Sequence, residues 1–121
     1  MKFQPDPIQS SSVTAYGPGW VTVNGQNFTS NLVISTESAP YLWECARFED
    51  LQISHFERLA ELSPELVIFG TGERIRFAHP SLLQCLYARG IGVETMGTPA
   101  ACRTYNFLAG EDRKVVAALL L

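Results

Sequence analysis

Residues 66–72 read LVIFGTG, and residues 91–99 read IGVETMGTP. These two stretches decide the fold, because each is an apolar strand candidate that runs into a turn marked by glycine. Residues 66–69 show no polar alternation, which is typical of a strand covered on both faces. If the two strands are parallel neighbours, both turns lie at the carboxyl edge of one sheet, where open α/β proteins bind ligands. We therefore expect a functional site at residues 70–72 and 95–106.

Three predicted helices place these strands in a βα pattern that occupies residues 44–121. Apolar residues recur at three- and four-residue spacings in the helices, and proline stands at a favourable first position in the second and third. The helices are predicted to begin near Ser54, at His79-Pro80 and at Thr98-Pro99, with Ser54 and Thr98 as N-caps. A final strand is predicted over residues 115–121, because a Gly-Glu-Asp turn directly follows the third helix.

Residues 1–43 form a first part that is rich in β-forming residues and poor in charge. Asn24-Gly25 is a strong hairpin signal, so antiparallel pairing is expected here. The first part is too short to fold alone, and we expect it to pack on the βα part, so that residues 1–121 form one α/β domain. Its predicted strands cover residues 13–16, 20–23, 26–28 and 32–35.

Composition argues against several classes of protein. The formal net charge is -3 and the sequence pI is ≈ 5.3, whereas nucleic-acid binding requires clustered Lys and Arg. No stretch approaches the ~20 apolar residues of a transmembrane helix, so membrane insertion is not predicted. The 3 cysteines contain no CxxC pair, which favours reduced thiols and a soluble, cytoplasmic protein. The sequence leaves the oligomeric state open.

The second part of the chain carries a family resemblance. Its motif residues are Gly70-Thr71-Gly72, Glu94 with Met96, and the run AACRTYN at residues 100–106, which is the most specific. From about Ile8 to its end, the chain resembles a small family of unknown function whose eukaryotic members include a mitochondrial assembly factor of respiratory complex I. The resemblance implies a three-layer α/β domain with a central mixed sheet, one strand of which runs antiparallel to the rest.

The same resemblance bears on function. It implies a role in assembly through a protein partner, and it supplies no catalytic residues and no cofactor. The amino terminus has no Arg-rich organelle leader, so the chain is identified as a bacterial member of the family.

A candidate anion-binding cleft lies where the two glycine turns meet. Gly70 and Gly72 allow backbone N–H groups to approach a phosphate or carboxylate. The first turn of the helix at Thr98 adds unpaired N–H groups. Arg103 and Asn106 fall on the helix face that reaches this locus. The predicted cleft residues are Gly70, Thr71, Gly72, Thr98, Arg103 and Asn106.

These residues also have a structural interpretation. The Gly-Thr-Gly stretch can be a tight turn at a sheet edge, and Arg103 can pair with Glu94 or with a backbone carbonyl to hold the strand-to-helix turn. A nicotinamide cofactor is disfavoured, because the dinucleotide fingerprint needs a third glycine where Ile75 stands. Cys102 is interpreted as a buried thiol, since no histidine base is placed beside it. The histidines and cysteines lack metal-ligand spacing, so neither a metal site nor a catalytic residue is predicted.

Two functional hypotheses follow. The first is a non-enzymatic assembly or protein-interaction module. The second is a small-anion or metabolite-binding protein, or an enzyme, that uses the predicted cleft. Aromatic residues of the first part would form a partner surface if several pointed outward, although core packing is the more common fate. These residues are Tyr16, Trp20, Phe28, Tyr41 and Trp43.

Overall fold

A five-stranded mixed sheet forms the centre of the computed structural model, which describes residues 11–121. Strand β6 is parallel to β7 and β8, whereas β4 is antiparallel to β8 and β5. One strand therefore runs against the rest, which confirms the mixed sheet that the resemblance implies. In order across the sheet, the strands are β5 (Tyr41–Leu42), β4 (Leu32–Ser35), β8 (Val115–Leu120), β6 (Leu66–Thr71) and β7 (Gly92–Met96).

Helices cover both faces of this sheet and complete three layers. The helices α1 (Ile53–Ala60) and α2 (Pro80–Tyr87) pack on one face, and α3 (Thr98–Ala109) packs on the other. The described residues thus form a small α/β domain of the predicted class. Residues 1–10, including the amino-terminal features discussed above, lie outside the described residues.

A second, antiparallel sheet packs beside α3. Its strands are β1 (Val13–Gly17), β2 (Trp20–Val23) and β3 (Gln26–Phe28), in that order. Asn24 and Gly25 join β2 to β3 with φ of 51° and 83°, and a two-residue hairpin turn of this kind requires positive φ at both positions. The predicted hairpin region is confirmed.

Burial on both faces explains the apolar run at β6. Because side chains alternate across a strand, Val67 and Phe69 join the core beneath α1 and α2, while Ile68 joins the core beneath α3. The strand β8 is divided in the same way, and all six of its residues are buried. Neither strand has a polar face because neither has a face in water.

Three aromatic rings form the centre of the core beneath α1. Trp43, Phe56 and Phe69 meet edge to face, with ring centroids 5.5 to 6.0 Å apart. Such pairs contribute about 0.5–1.5 kcal/mol each beyond the area that they bury. Trp43 therefore belongs to the core and not to a partner surface.

Two predicted N-caps are wrong. Gln52, not Ser54, caps α1, and its backbone N–H donates to Nδ1 of His55 at 2.9 Å in a reciprocal capping box. Gly97 precedes α3, and Thr98 is already its first residue. The hydroxyl of Thr98 bonds to other elements instead of to its own helix.

We expect Phe69→Ala to lower the free energy of unfolding by about 3–5 kcal/mol, because it opens a cavity at the aromatic centre. The matched control is Phe107→Ala, whose side chain is 66% exposed, and it should stay within about 0.5 kcal/mol of the parent. Urea unfolding followed by tryptophan fluorescence measures both. Equal losses would contradict this placement of the core.

Candidate functional site

The carboxyl ends of β6, β7 and β8 meet at one edge of the central sheet. Because β6 and β7 pair in parallel, the turn after Thr71 and the turn after Met96 lie side by side. The geometry that the glycine turns predicted is therefore present. Each predicted cleft residue makes its own contacts in the structure.

Gly70 and Gly72 serve different physical purposes. A Cβ at Gly70 would lie 2.9 Å from Leu119 Cδ2 and 3.1 Å from Ala101 Cβ, so glycine is needed for α3 to pack closely on β6. Gly72 has a φ of +97° and open space where a Cβ would stand. It is required by the shape of the turn, because L side chains avoid this conformation.

Thr98 joins three elements through its hydroxyl group. Its Oγ1 accepts a hydrogen bond from the Gly72 N–H at 2.8 Å and donates to the Leu120 carbonyl at 2.5 Å. The Thr98 N–H in turn donates to the Gly72 carbonyl at 2.7 Å. The start of α3 is thereby tied to the ends of β6 and β8.

Thr71 organises the loop that follows β6. Its hydroxyl donates to the Arg74 carbonyl at 2.8 Å and accepts from the Arg76 N–H at 3.1 Å. The side chain is 5% exposed. The polar atoms of Thr71, Gly72 and Thr98 are thus used within the protein, which favours the structural interpretation of this turn.

Arg103 and Asn106 lie on α3 but have separate partners. Nη1 of Arg103 donates to the Tyr16 hydroxyl at 2.9 Å, and not to Glu94 as the structural alternative proposed. The Asn106 side chain accepts from the Val13 N–H at 2.9 Å and donates to the Val13 carbonyl at 2.7 Å. Both residues therefore connect α3 to the β1 strand.

Two cavities open at the carboxyl edge. The smaller, of about 310 Å³, lies between the β1–β2 turn and the start of α3, and it is lined by Tyr16, Gly17, Pro18, Gly19, Gly72, Glu73, Thr98, Pro99 and Leu121. Four predicted cleft residues, Gly70, Thr71, Arg103 and Asn106, are not among its lining residues. The sequence predicts the β1–β2 turn but does not place it at this cavity, because only tertiary packing brings residues 16–19 beside Gly72.

The larger cavity, of about 680 Å³, is charged. Arg76 bonds to Glu49 at 2.6 Å and lies 4.2 Å above the ring of Phe48, so its charge is already paired. The Arg76 guanidinium lowers the pKa of the Glu49 carboxyl by donating a hydrogen bond to it. Arg74 also lines this cavity, directly after the predicted glycine turn. The nearby sequence Glu-Arg-Ile-Arg was a signal that the sequence interpretation did not use.

Cys102 lies on the buried side of α3 and is fully buried. Burial raises the pKa of its thiol to about 11, which outweighs the opposite effect of the Arg103 charge. The thiol therefore stays protonated near neutral pH, and a thiolate nucleophile is disfavoured. Within residues 11–121, no three His, Cys, Asp or Glu side chains gather in a way that could hold a metal ion.

The most exposed aromatic side chains lie outside the predicted cleft. Phe77 is 72% exposed and Phe107 is 66% exposed, while Tyr87 at the end of α2 is 48% exposed. Phe77 and Tyr87 line a groove of about 510 Å³ beside β7. The sequence, in contrast, indicated residues 1–43 as the part that could carry an exposed aromatic surface. In the part of the chain that the structure describes, no helix is long and apolar enough to cross a bilayer.

Comparisons with known proteins give a consistent relationship. A family model described as a protein of unknown function (DUF498/DUF598) matches residues 13–120. The mouse protein named NADH dehydrogenase (ubiquinone) 1 alpha subcomplex assembly factor 3 is 32% identical over 114 residues, which cover 93% of this chain. The chain spans 61% of the length of that mouse relative.

Solved structures agree with this relationship. A crystal structure of a Bordetella parapertussis protein has a TM-score of 0.88 at 40% identity, covering 93% of this chain and 96% of that chain. A solution NMR structure of a Bordetella pertussis protein, described as an Mth938-like domain, has a TM-score of 0.82 at 34% identity. That likeness covers 99% of this chain and 92% of the other.

We expect Thr98→Val to lower the free energy of unfolding by about 1–3 kcal/mol, because it leaves the Gly72 N–H and the Leu120 carbonyl without their partner. Thr98→Ser keeps the hydroxyl and loses one methyl group, so its effect should be smaller, at about 1 kcal/mol. Urea unfolding of the two variants measures the difference. A Ser variant as unstable as the Val variant would show that the hydroxyl does not hold this edge together.

Proposed function

Because this chain belongs to the DUF498/DUF598 family of proteins of unknown function, we propose that it is a non-enzymatic module that binds another protein during assembly of a respiratory complex. The similarity to the mouse assembly factor covers 93% of the chain, so what the two share is essentially the whole domain described here. Because the two proteins share this domain, we propose that they share a kind of task. Experiment has to identify that task.

The observation that carries the proposal is the exposure of large apolar side chains. Phe77 presents most of its surface to water, and Ile75 and Tyr87 are about half exposed. Aromatic residues are enriched where proteins bind one another, because each buries a large area with little loss of conformational entropy. The carboxyl edge, by contrast, uses the polar groups of Thr71 and Thr98 within the fold.

We place this role in the cytoplasm. Cys45, Cys85 and Cys102 are all free thiols. Free cysteines are typical of a reducing compartment.

A second candidate function is the binding of a small molecule in the cavity of about 310 Å³ beside Gly72. The observation that favours it is the position of this cavity at the carboxyl ends of parallel strands, where α/β proteins bind ligands. Its lining combines apolar groups with the hydroxyl-bearing residue Tyr16, which is held by Arg103.

For the assembly role, we expect deletion of the gene to reduce assembled NADH dehydrogenase in the organism that encodes the chain. Native electrophoresis of membranes and their NADH dehydrogenase activity measure the reduction, and re-expression of the chain should restore both. Chemical crosslinking of the tagged chain should recover subunits of that enzyme. Normal assembly and activity without the gene would refute the role.

For the small-molecule candidate, a panel of metabolites should contain one that raises the melting temperature of the parent chain. Arg103→Ala should remove that rise, because Tyr16 loses the hydrogen bond that positions it at the cavity. Arg89→Ala, on the opposite side of the sheet, is the control and should keep the rise. Differential scanning fluorimetry provides the measurement. A panel without any stabilising compound counts against this candidate.

A further inference from the structure

The strand β7 has an unpaired outer edge. It is the last strand of the five-stranded sheet, and its partner is β6. The Gly92 N–H donates to the Glu65 carbonyl, so the main-chain groups of Gly92 point inward, toward β6. Because backbone groups alternate along a strand, those of Val93 and Thr95 point outward.

These outward groups are available for pairing. Within the described residues, no hydrogen bond occupies the outward N–H and C=O groups of Val93 and Thr95. Such an edge is a template on which another extended segment can form backbone hydrogen bonds. The edge therefore offers affinity for a strand, and the neighbouring side chains decide which strand fits.

An apolar groove runs beside this edge on the α2 face of the sheet. Val93 packs against the core beneath α2, so the side chains at 93 and 95 point to this face. Phe77 and Tyr87 stand exposed along the same groove. We call it the β7 groove, and its lining residues are Phe77, Ala78, Pro80, Leu83, Tyr87, Val93, Glu94 and Thr95.

Glu94 supplies the charge at this edge. Met96 packs against the core beneath α3, so the side chains at 94 and 96 point to the α3 face. Glu94 is exposed, and it takes part in none of the salt bridges among the described residues. A basic side chain on an adjacent strand would pair with it across the edge.

We propose that β7 binds an extended segment of a partner protein in which apolar residues alternate with lysine or arginine. The apolar side chains enter the β7 groove, and the basic residue between them faces Glu94, because successive residues of a strand point to opposite faces. This inference rests on the proposed interaction function and names the surface and the partner chemistry.

A second copy of this chain fits the edge less well. Two β7 strands that pair antiparallel through Val93 and Thr95 place Glu94 of one copy opposite Glu94 of the other. Like charges directly opposite one another destabilise a strand pair. The unpaired carboxylate therefore selects a basic segment from a different protein.

The test uses the full chain and two short synthetic peptides, one alternating valine with lysine and the other alternating valine with glutamate. Amide chemical shifts of the labelled chain should change at Val93, Thr95 and the β7 groove. The lysine peptide should bind up to about fivefold more tightly than the glutamate peptide. Glu94→Lys should reverse this preference.

Matched variants separate the contributions of backbone and groove. Thr95→Pro removes the outward N–H and should abolish binding, whereas Thr95→Ala keeps the N–H and should retain it. Phe77→Ala should weaken binding, and Phe107→Ala, an equally exposed phenylalanine elsewhere, should not. Circular dichroism establishes that each variant is folded.

Three results would overturn the inference: no shift changes at the highest soluble peptide concentration, changes confined to another surface, or a β7-dependent dimer in sedimentation. Its failure is distinct from failure of the assembly role. If the parent chain recovers NADH dehydrogenase subunits and Thr95→Pro recovers them equally, the assembly role stands and the edge is not its site. If the peptide binds at β7 but gene deletion leaves the enzyme intact, the edge binds a partner of another kind.

Discussion

The hydroxyl of Thr98 joins the end of β6, the end of β8 and the start of α3. The packing of the α3 layer on the central sheet depends on it. It accepts from the Gly72 N–H and donates to the Leu120 carbonyl. Parallel strands end with backbone groups that have no neighbour to pair with, and a buried unpaired group is strongly destabilising. The Thr98 side chain therefore satisfies two such groups. It does so beside Gly70, where the lack of a Cβ allows α3 to pack closely on the sheet.

This arrangement changes the meaning of the carboxyl edge. The Gly-Thr-Gly turn has the form of an anion-binding loop, but the Thr71 hydroxyl group and the Gly72 amide are bound within the protein. Asn106 is likewise engaged by both backbone groups of Val13. What is left for a ligand at this edge is the small cavity beside Tyr16 and the larger charged cavity beside Arg74.

The lateral edge of the sheet, formed by β7, differs from the carboxyl edge in how its backbone groups are used. The strands β8 and β6 are covered on both faces and paired on both sides, whereas β7 is paired on one side. Exposed aromatic side chains border that open side, together with the Glu94 carboxylate, which forms no salt bridge within residues 11–121. An open strand beside an apolar groove is a physical means of binding another chain, which is why the proposed interaction is placed there.

Local sequence was enough to place the three helices, the hairpin turn and every strand except β5, because their signals act over a few residues. The apolar run at residues 66–69 indicated burial on both faces, and Asn24-Gly25 indicated a turn with positive φ. The family resemblance supplied the mixed sheet, which local patterns could not. The N-cap predicted at Thr98 was wrong, because its hydroxyl group bonds to residues that are distant in sequence. Tertiary structure alone decided that Arg103 meets Tyr16 and that Phe77 borders β7, because these contacts depend on which elements become neighbours. The sequence therefore revealed the core but not the proposed partner surface, because burial leaves a pattern along the chain and an unpaired strand edge leaves none.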